Sequence, residues 1–115
     1  MNDFPMKQLK QIVSKAMSNA SVAHDAIFEN ERNETAIIGY LNRAGSLICE
    51  AEAIYFSNRD DEYIEIENFF KQFDAFISES LTNIITKHSH QWSDIEFIEL
   101  KEMYKQCILS QPEPT

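Results

Sequence analysis

Glycine, proline and cysteine are all scarce in this chain: two, three and two residues among 115. A β-sandwich or barrel needs a turn signal about every 8–12 residues, more than so few glycines and prolines provide. The two isolated thiols, Cys49 and Cys107, make neither a disulfide framework nor a metal-ligand cluster, and both are expected to be reduced. Long apolar runs are missing as well. Nothing approaches the roughly 18 residues of a membrane span, and the first residues have neither the basic start nor the apolar stretch of a secretory signal. A cytoplasmic protein with no membrane contact is the expectation.

Positive charge is the remaining shortage. Ten Lys and Arg stand against nineteen Asp and Glu, a net charge of −9, and that sign opposes binding to nucleic-acid phosphates. Residues 1–32 hold four basic and four acidic side chains, so the excess lies wholly in residues 33–115. With 43% hydrophobic and 25% charged residues the composition is that of a folded globular chain. Its length fits one domain spanning residues 1–115.

What is present is helical periodicity. Leu9, Val13, Ala16, Ala20, Ala23 and Ile27 recur at spacings of 4, 3, 4, 3, 4, one stripe of a helix over about 4–30 that begins with Asp3 as cap and Pro5 in its first turn. Three alanines in that stripe permit a close neighbour. Asn33 is the expected cap of a second helix over about 34–56, where Ile37, Leu41, Ala44, Ile48, Ala51 and Tyr55 repeat the same spacing. Both glycines fall inside it; close packing is the expected reason for Gly45, and Gly39 has none. A polar break at 57–61 precedes a third helix over about 61–87. Its Ile66, Phe69, Phe70, Phe73, Phe76, Ile77, Leu81, Ile84 and Ile85 give an apolar face wide enough for two neighbours. Ser93-Asp94-Ile95-Glu96 has the form of a capping box, with Trp92 and Phe97 at the positions of a hydrophobic staple, so a fourth helix is expected over 94–109 and a tail over 110–115. Short connections between four helices make an all-α, four-helix antiparallel up-down-up-down bundle, the short fourth helix alternatively lying oblique.

Few residues suggest chemistry. A di-iron bundle needs Glu-x-x-His, which does not occur, and His88 with His90 lacks a third ligand, so both are expected as surface loop residues. His24 lies on the core-facing side of the first helix, where a buried imidazole needs a partner; level with it stands Tyr40. A structural histidine is expected. Architecture is all the chain shares with histidine phosphotransfer domains, whose accepting histidine is exposed and followed by a lysine–glycine pair that is missing here. Glu52 is expected at the rim of the core. No aligned nucleophile and base and no glycine-rich cradle are visible, so neither a catalytic residue, a cofactor nor a metal is expected.

Surface character is left to indicate function. Seven acids, Glu50, Glu52, Asp60, Asp61, Glu62, Glu65 and Glu67, gather around the second turn against one base, Arg59. The fourth helix carries Glu99 and Glu102 and, beside its core stripe of Phe97, Leu100, Tyr104 and Cys107, a second stripe of Ile95, Ile98 and Leu109. These features point to a non-enzymatic acidic module that binds a basic protein, in the manner of an immunity protein, inhibitor or chaperone. The partner surface is expected at Glu50, Asp60, Asp61, Glu62, Glu65 and Glu67 and at Ile95, Ile98, Glu99 and Glu102. The rival readings are a homodimer joined through the second stripe, and a ligand or metal sensor or enzyme with a pocket near His24.

Overall fold

The computed structural model describes residues 5–113, so the expected cap Asp3 and the end of the tail lie outside the described residues. Four helices follow one another: α1 Met6–Ile27, α2 Glu34–Asn58, α3 Ile64–Thr86 and α4 Gln91–Met103, the last running into a π-helical segment, Tyr104–Leu109. Every member of the α1 and α2 stripes is buried, and one hydrophobic cluster joins all four helices. Asn33 caps α2 as expected, its Oδ1 accepting from the Ala36 N–H at 3.0 Å.

Side-chain pairs give the helix directions. Tyr55 meets Phe70 while Gly45 lies level with Ile77; Asn83 meets Ser93 while Phe69 meets Tyr104; His24 meets Asp94 while Lys10 meets Gln111. Each set runs in opposite senses, as antiparallel neighbours require. The helices thus close a ring in the order α1, α2, α3, α4, and α4 runs alongside both α3 and α1 rather than obliquely across three helices. Alanines at 16, 20 and 23 on α1 and at 44 and 51 on α2 are all fully buried, and these two helices make the most extensive backbone approach in the molecule. The bundle measures 47 × 20 × 19 Å.

Four expectations need correction. Helix α4 starts at Gln91, not at 94, and no capping box forms: Ser93 is buried inside the helix with Oγ between Asn83 and His90, and Glu96 is held by Gln72 instead. The staple is absent too, because Trp92 is 63% exposed while Phe97 is buried. On α3, Ile85 is 74% exposed and Ser80 and Asn83 take the core-facing positions. A Cβ at Gly45 would meet Ile77 Cδ1 at 3.5 Å, an ordinary contact, so close packing does not demand glycine there, and at Gly39 there is open space.

The α3 helix ends on Lys87 with φ 58°, a left-handed turn in which the N–H groups of Lys87 and His88 both bond to the Asn83 carbonyl. In the π-helical segment each residue advances less around the axis than in an α-helix. Ile108 therefore comes round to join Cys107 in the core, and Leu109 is left 49% exposed.

Candidate functional site

The acidic turn is more tightly organised than a solvated charge run. The Tyr55 side chain, fully buried, sends its hydroxyl to the start of α3, where it donates to Glu67 Oε2 at 2.7 Å and accepts from the Tyr63 N–H at 2.9 Å. Arg59 pairs with the same Glu67 oxygen at 3.1 Å and lies over the rings of Phe56 and Tyr55. Burial and the Glu67 carboxylate push the Tyr55 phenol above its ordinary range. Tyr63 donates its hydroxyl to Asp60 at 2.7 Å; that bond holds the Asp60 carboxyl low and pushes the Tyr63 phenol up to about 12. Glu67 and Asp60, expected on a partner surface, are thus engaged within the fold. Asp60 is nonetheless exposed, as are Glu50, Asp61, Glu62 and Glu65. Glu52 sits half-buried at the core rim, as expected; burial and then Asp74 across the α2–α3 contact raise its pKa, and Asp74 is raised by burial.

The second expected surface, the outer side of α4, is open. Trp92 is 63% exposed, Ile95 44% and Ile98 55%, on one face of a helix whose opposite face buries Ser93, Phe97 and Leu100. A shallow groove between Trp92, Ile95, Ile98 and Gln72 of α3 is bounded by Glu96 and Glu99. Glu102 is exposed one turn further on and accepts from Gln106 at 2.8 Å. The sequence pattern singles out Ile95 and Ile98, but it sets Trp92 in a staple.

His24 is held, but not by Tyr40. Its Nε2 lies 2.7 Å from Asp94 Oδ1 on α4 and its Nδ1 3.0 Å from Asp25 Oδ1, and the ring stacks on Phe97 with centroids 4.4 Å apart. Both nitrogens face carboxylate oxygens, so an imidazolium serves both and a neutral ring only one. This is a cross-link between α1 and α4.

His90 also departs from expectation, being buried rather than a surface loop residue. Its Nδ1 is 3.2 Å from Ser93 Oγ, which accepts from Asn83 Nδ2 at 3.3 Å. Its Nε2, like the hydroxyl of the buried Ser80, has no hydrogen-bond partner among the described residues. Burial, then the Arg32 guanidinium, holds the imidazole below its ordinary range against the opposing pull of Glu34 and Glu79. Among the described residues no group of three or more His, Cys, Asp or Glu is placed to hold a metal. Cys49 is exposed, Cys107 buried, and both are free.

No family model, curated protein or solved structure matches this chain.

Proposed function

We propose that this chain is a non-enzymatic helical module that binds another protein through the outer face of α4, the partner being basic where it meets that face. One observation carries the reading: Trp92, Ile95 and Ile98 stand exposed together on a single helix face with Glu99 beside them. Exposed tryptophan and isoleucine side by side are costly in water unless a partner covers them, and tryptophan is among the residues that dominate interface energetics. The net charge of −9 supports a basic partner by steering its approach. The acidic turn contributes to steering rather than docking, since Asp60 and Glu67 already have partners within the fold.

Quantitative affinity capture from the native cell tests this. Trp92→Ala with Ile98→Asp is expected to reduce capture of the wild-type partner by at least about tenfold, and truncating an anchor of about 2 kcal/mol suffices for that. Reversing Asp60, Asp61 and Glu62 to lysine slows association without abolishing the complex, and raising salt from about 50 to 500 mM does the same as the Debye length shortens from roughly 14 to 4 Å. Capture indifferent to Trp92 and Ile98 but lost on turn reversal overturns the assignment to α4.

A further inference from the structure

The chain's few cations are not scattered. Lys7, Lys10, Lys15, Lys101 and Lys105, five of the ten basic residues, line one groove between α1 and α4. On α1 the lining residues Lys7, Gln11, Ser14, Ser18 and Ser21 recur at helical spacing, a polar stripe beside the core stripe. Facing them, α4 and the π-helical segment supply Lys101, Tyr104, Lys105 and Leu109. This is the least closely packed edge of the ring. It is pinned at one end by His24 and Asp94 and at the other by Lys10, which donates to the Gln111 carbonyl and lies 3.7 Å from Glu113. Between the pins the floor is apolar, made by Met17, Phe97, Tyr104 and Leu109.

We infer that the α1–α4 groove receives the outer ridge of α4 from a second copy of this chain. This rests on the reading of that ridge as a docking surface and names its partner, whose basic character is local to the groove lysines, since two copies of net charge −9 repel at longer range. The two surfaces are complementary in kind: an apolar ridge of Trp92, Ile95 and Ile98 with Glu99 and Glu102 meets an apolar floor edged by Lys101 and Lys105 along α4, with Lys7, Lys10 and Lys15 of α1 in the adjoining stretch of the groove. They also match in length, since α4 with 13 residues and the α1 lining from Lys7 to Ser21 each extend about 20 Å at 1.5 Å per residue. A carboxylate already sits on this groove within one molecule, where Glu113 pairs with Lys10. Ridge packed on ridge in a two-fold dimer is disfavoured, because it brings two glutamate-edged faces together and leaves the lysines of the groove unused. Ridge in groove repeated in one sense is heterologous, so each added molecule leaves one ridge and one groove open and assembly continues head to tail into a ring or filament, whereas a reciprocal pair closes at a dimer.

Sedimentation of the full chain from about 5 to about 500 µM, in about 0.15 M salt where charges beyond roughly 8 Å are screened, decides this. The weight-average mass is expected to rise from the monomer's 13.4 kDa through and past that of a dimer. Trp92→Ala with Ile98→Ala removes the ridge, and Lys15→Glu with Lys105→Glu spoils the groove; each variant stays monomeric, with its fold checked by thermal melting. Mixed in equal amounts they form a one-to-one complex and stop, since one has only a groove and the other only a ridge. A wild-type chain that stays at the monomer mass, or one that stops at a dimer while the two variants fail to pair, overturns the inference. So does self-association that persists without the ridge. A monomeric wild type whose captured partner still depends on Trp92 and Ile98 leaves the docking reading standing, whereas loss of that dependence fails the docking reading itself.

Discussion

The two ends of the bundle both bury polar side chains, and they satisfy them differently. At the α2–α3 end the Tyr55 hydroxyl, the Tyr63 N–H, Glu67 and Arg59 are matched to one another. At the α3–α4 end Asn83, Ser93 and His90 form a chain, yet Ser80 Oγ and His90 Nε2 lack partners. A buried polar group with a partner adds little net stability, and one without a partner costs its full desolvation. The first end is therefore the hard-wired one, where a deletion costs most, and the second is where stability can be gained.

Substitutions can break this contrast. The largest effect is expected from Tyr55→Phe, which takes the acceptor from the Tyr63 N–H and leaves Glu67 Oε2 with Arg59 alone, and lowers stability by about 2–4 kcal/mol in denaturant melts. A loss below a few tenths of a kcal/mol means that water replaces the hydroxyl and that this end is not hard-wired. His24→Ala comes next, at about 1–3 kcal/mol, through the lost stack on Phe97 and the lost cross-link to Asp94. A double-mutant cycle with Asp94→Asn should recover a coupling energy, and simple additivity rules the cross-link out.

At the second end, Ser93→Ala is expected to cost about 1 kcal/mol, by leaving Asn83 and His90 unlinked and not through a helix cap. Ser80→Ala should be neutral or stabilising by up to about 1 kcal/mol, since the hydroxyl it removes has no partner. Acid sharpens the comparison further. The His90 imidazole is depressed in the folded state, so its contribution is complete above the ordinary histidine value of about 6.5 and is lost as pH falls below it. Melting temperature should drop between about pH 7 and 5, and drop less in His90→Gln. The raised Glu52 and Asp74 act in the opposite sense: their charged forms destabilise the fold, and acidification toward the ordinary carboxylate range relieves that strain.

The two helix stripes of α1 and α2 were legible because every position in them is apolar and the spacing never slips. The polar end was missed for a related reason. Phe69, Phe73, Phe76, Ser80 and Asn83 continue one 4, 3, 4, 3 stripe, all of it buried, whereas the apolar letters lead on through Ile77, Leu81, Ile84 and Ile85 and place the expected face past these two polar residues. Ser93 fits a capping box by pattern, but it lies four residues before Phe97 on the core side, and burial there prevailed over local capping. The π-helical turn that buries Ile108 has no signature in the sequence. Of the candidate site, Ile95 and Ile98 were visible as a second stripe. Trp92 was not, because its exposure depends on α4 starting three residues earlier than the pattern suggested. The lysine groove is dispersed over two distant segments, and only the fold brings them side by side.

That the outer face of α4 is the docking surface is tested most directly by photo-crosslinking in the native cell. A p-benzoylphenylalanine is placed at Trp92 in one version of the chain and at Asp61 in another, both exposed sites of the folded protein. A specific protein adduct from position 92, weak or absent from position 61, is the expected result. Adducts from position 61 with none from position 92 would contradict the account and move the docking surface to the acidic turn.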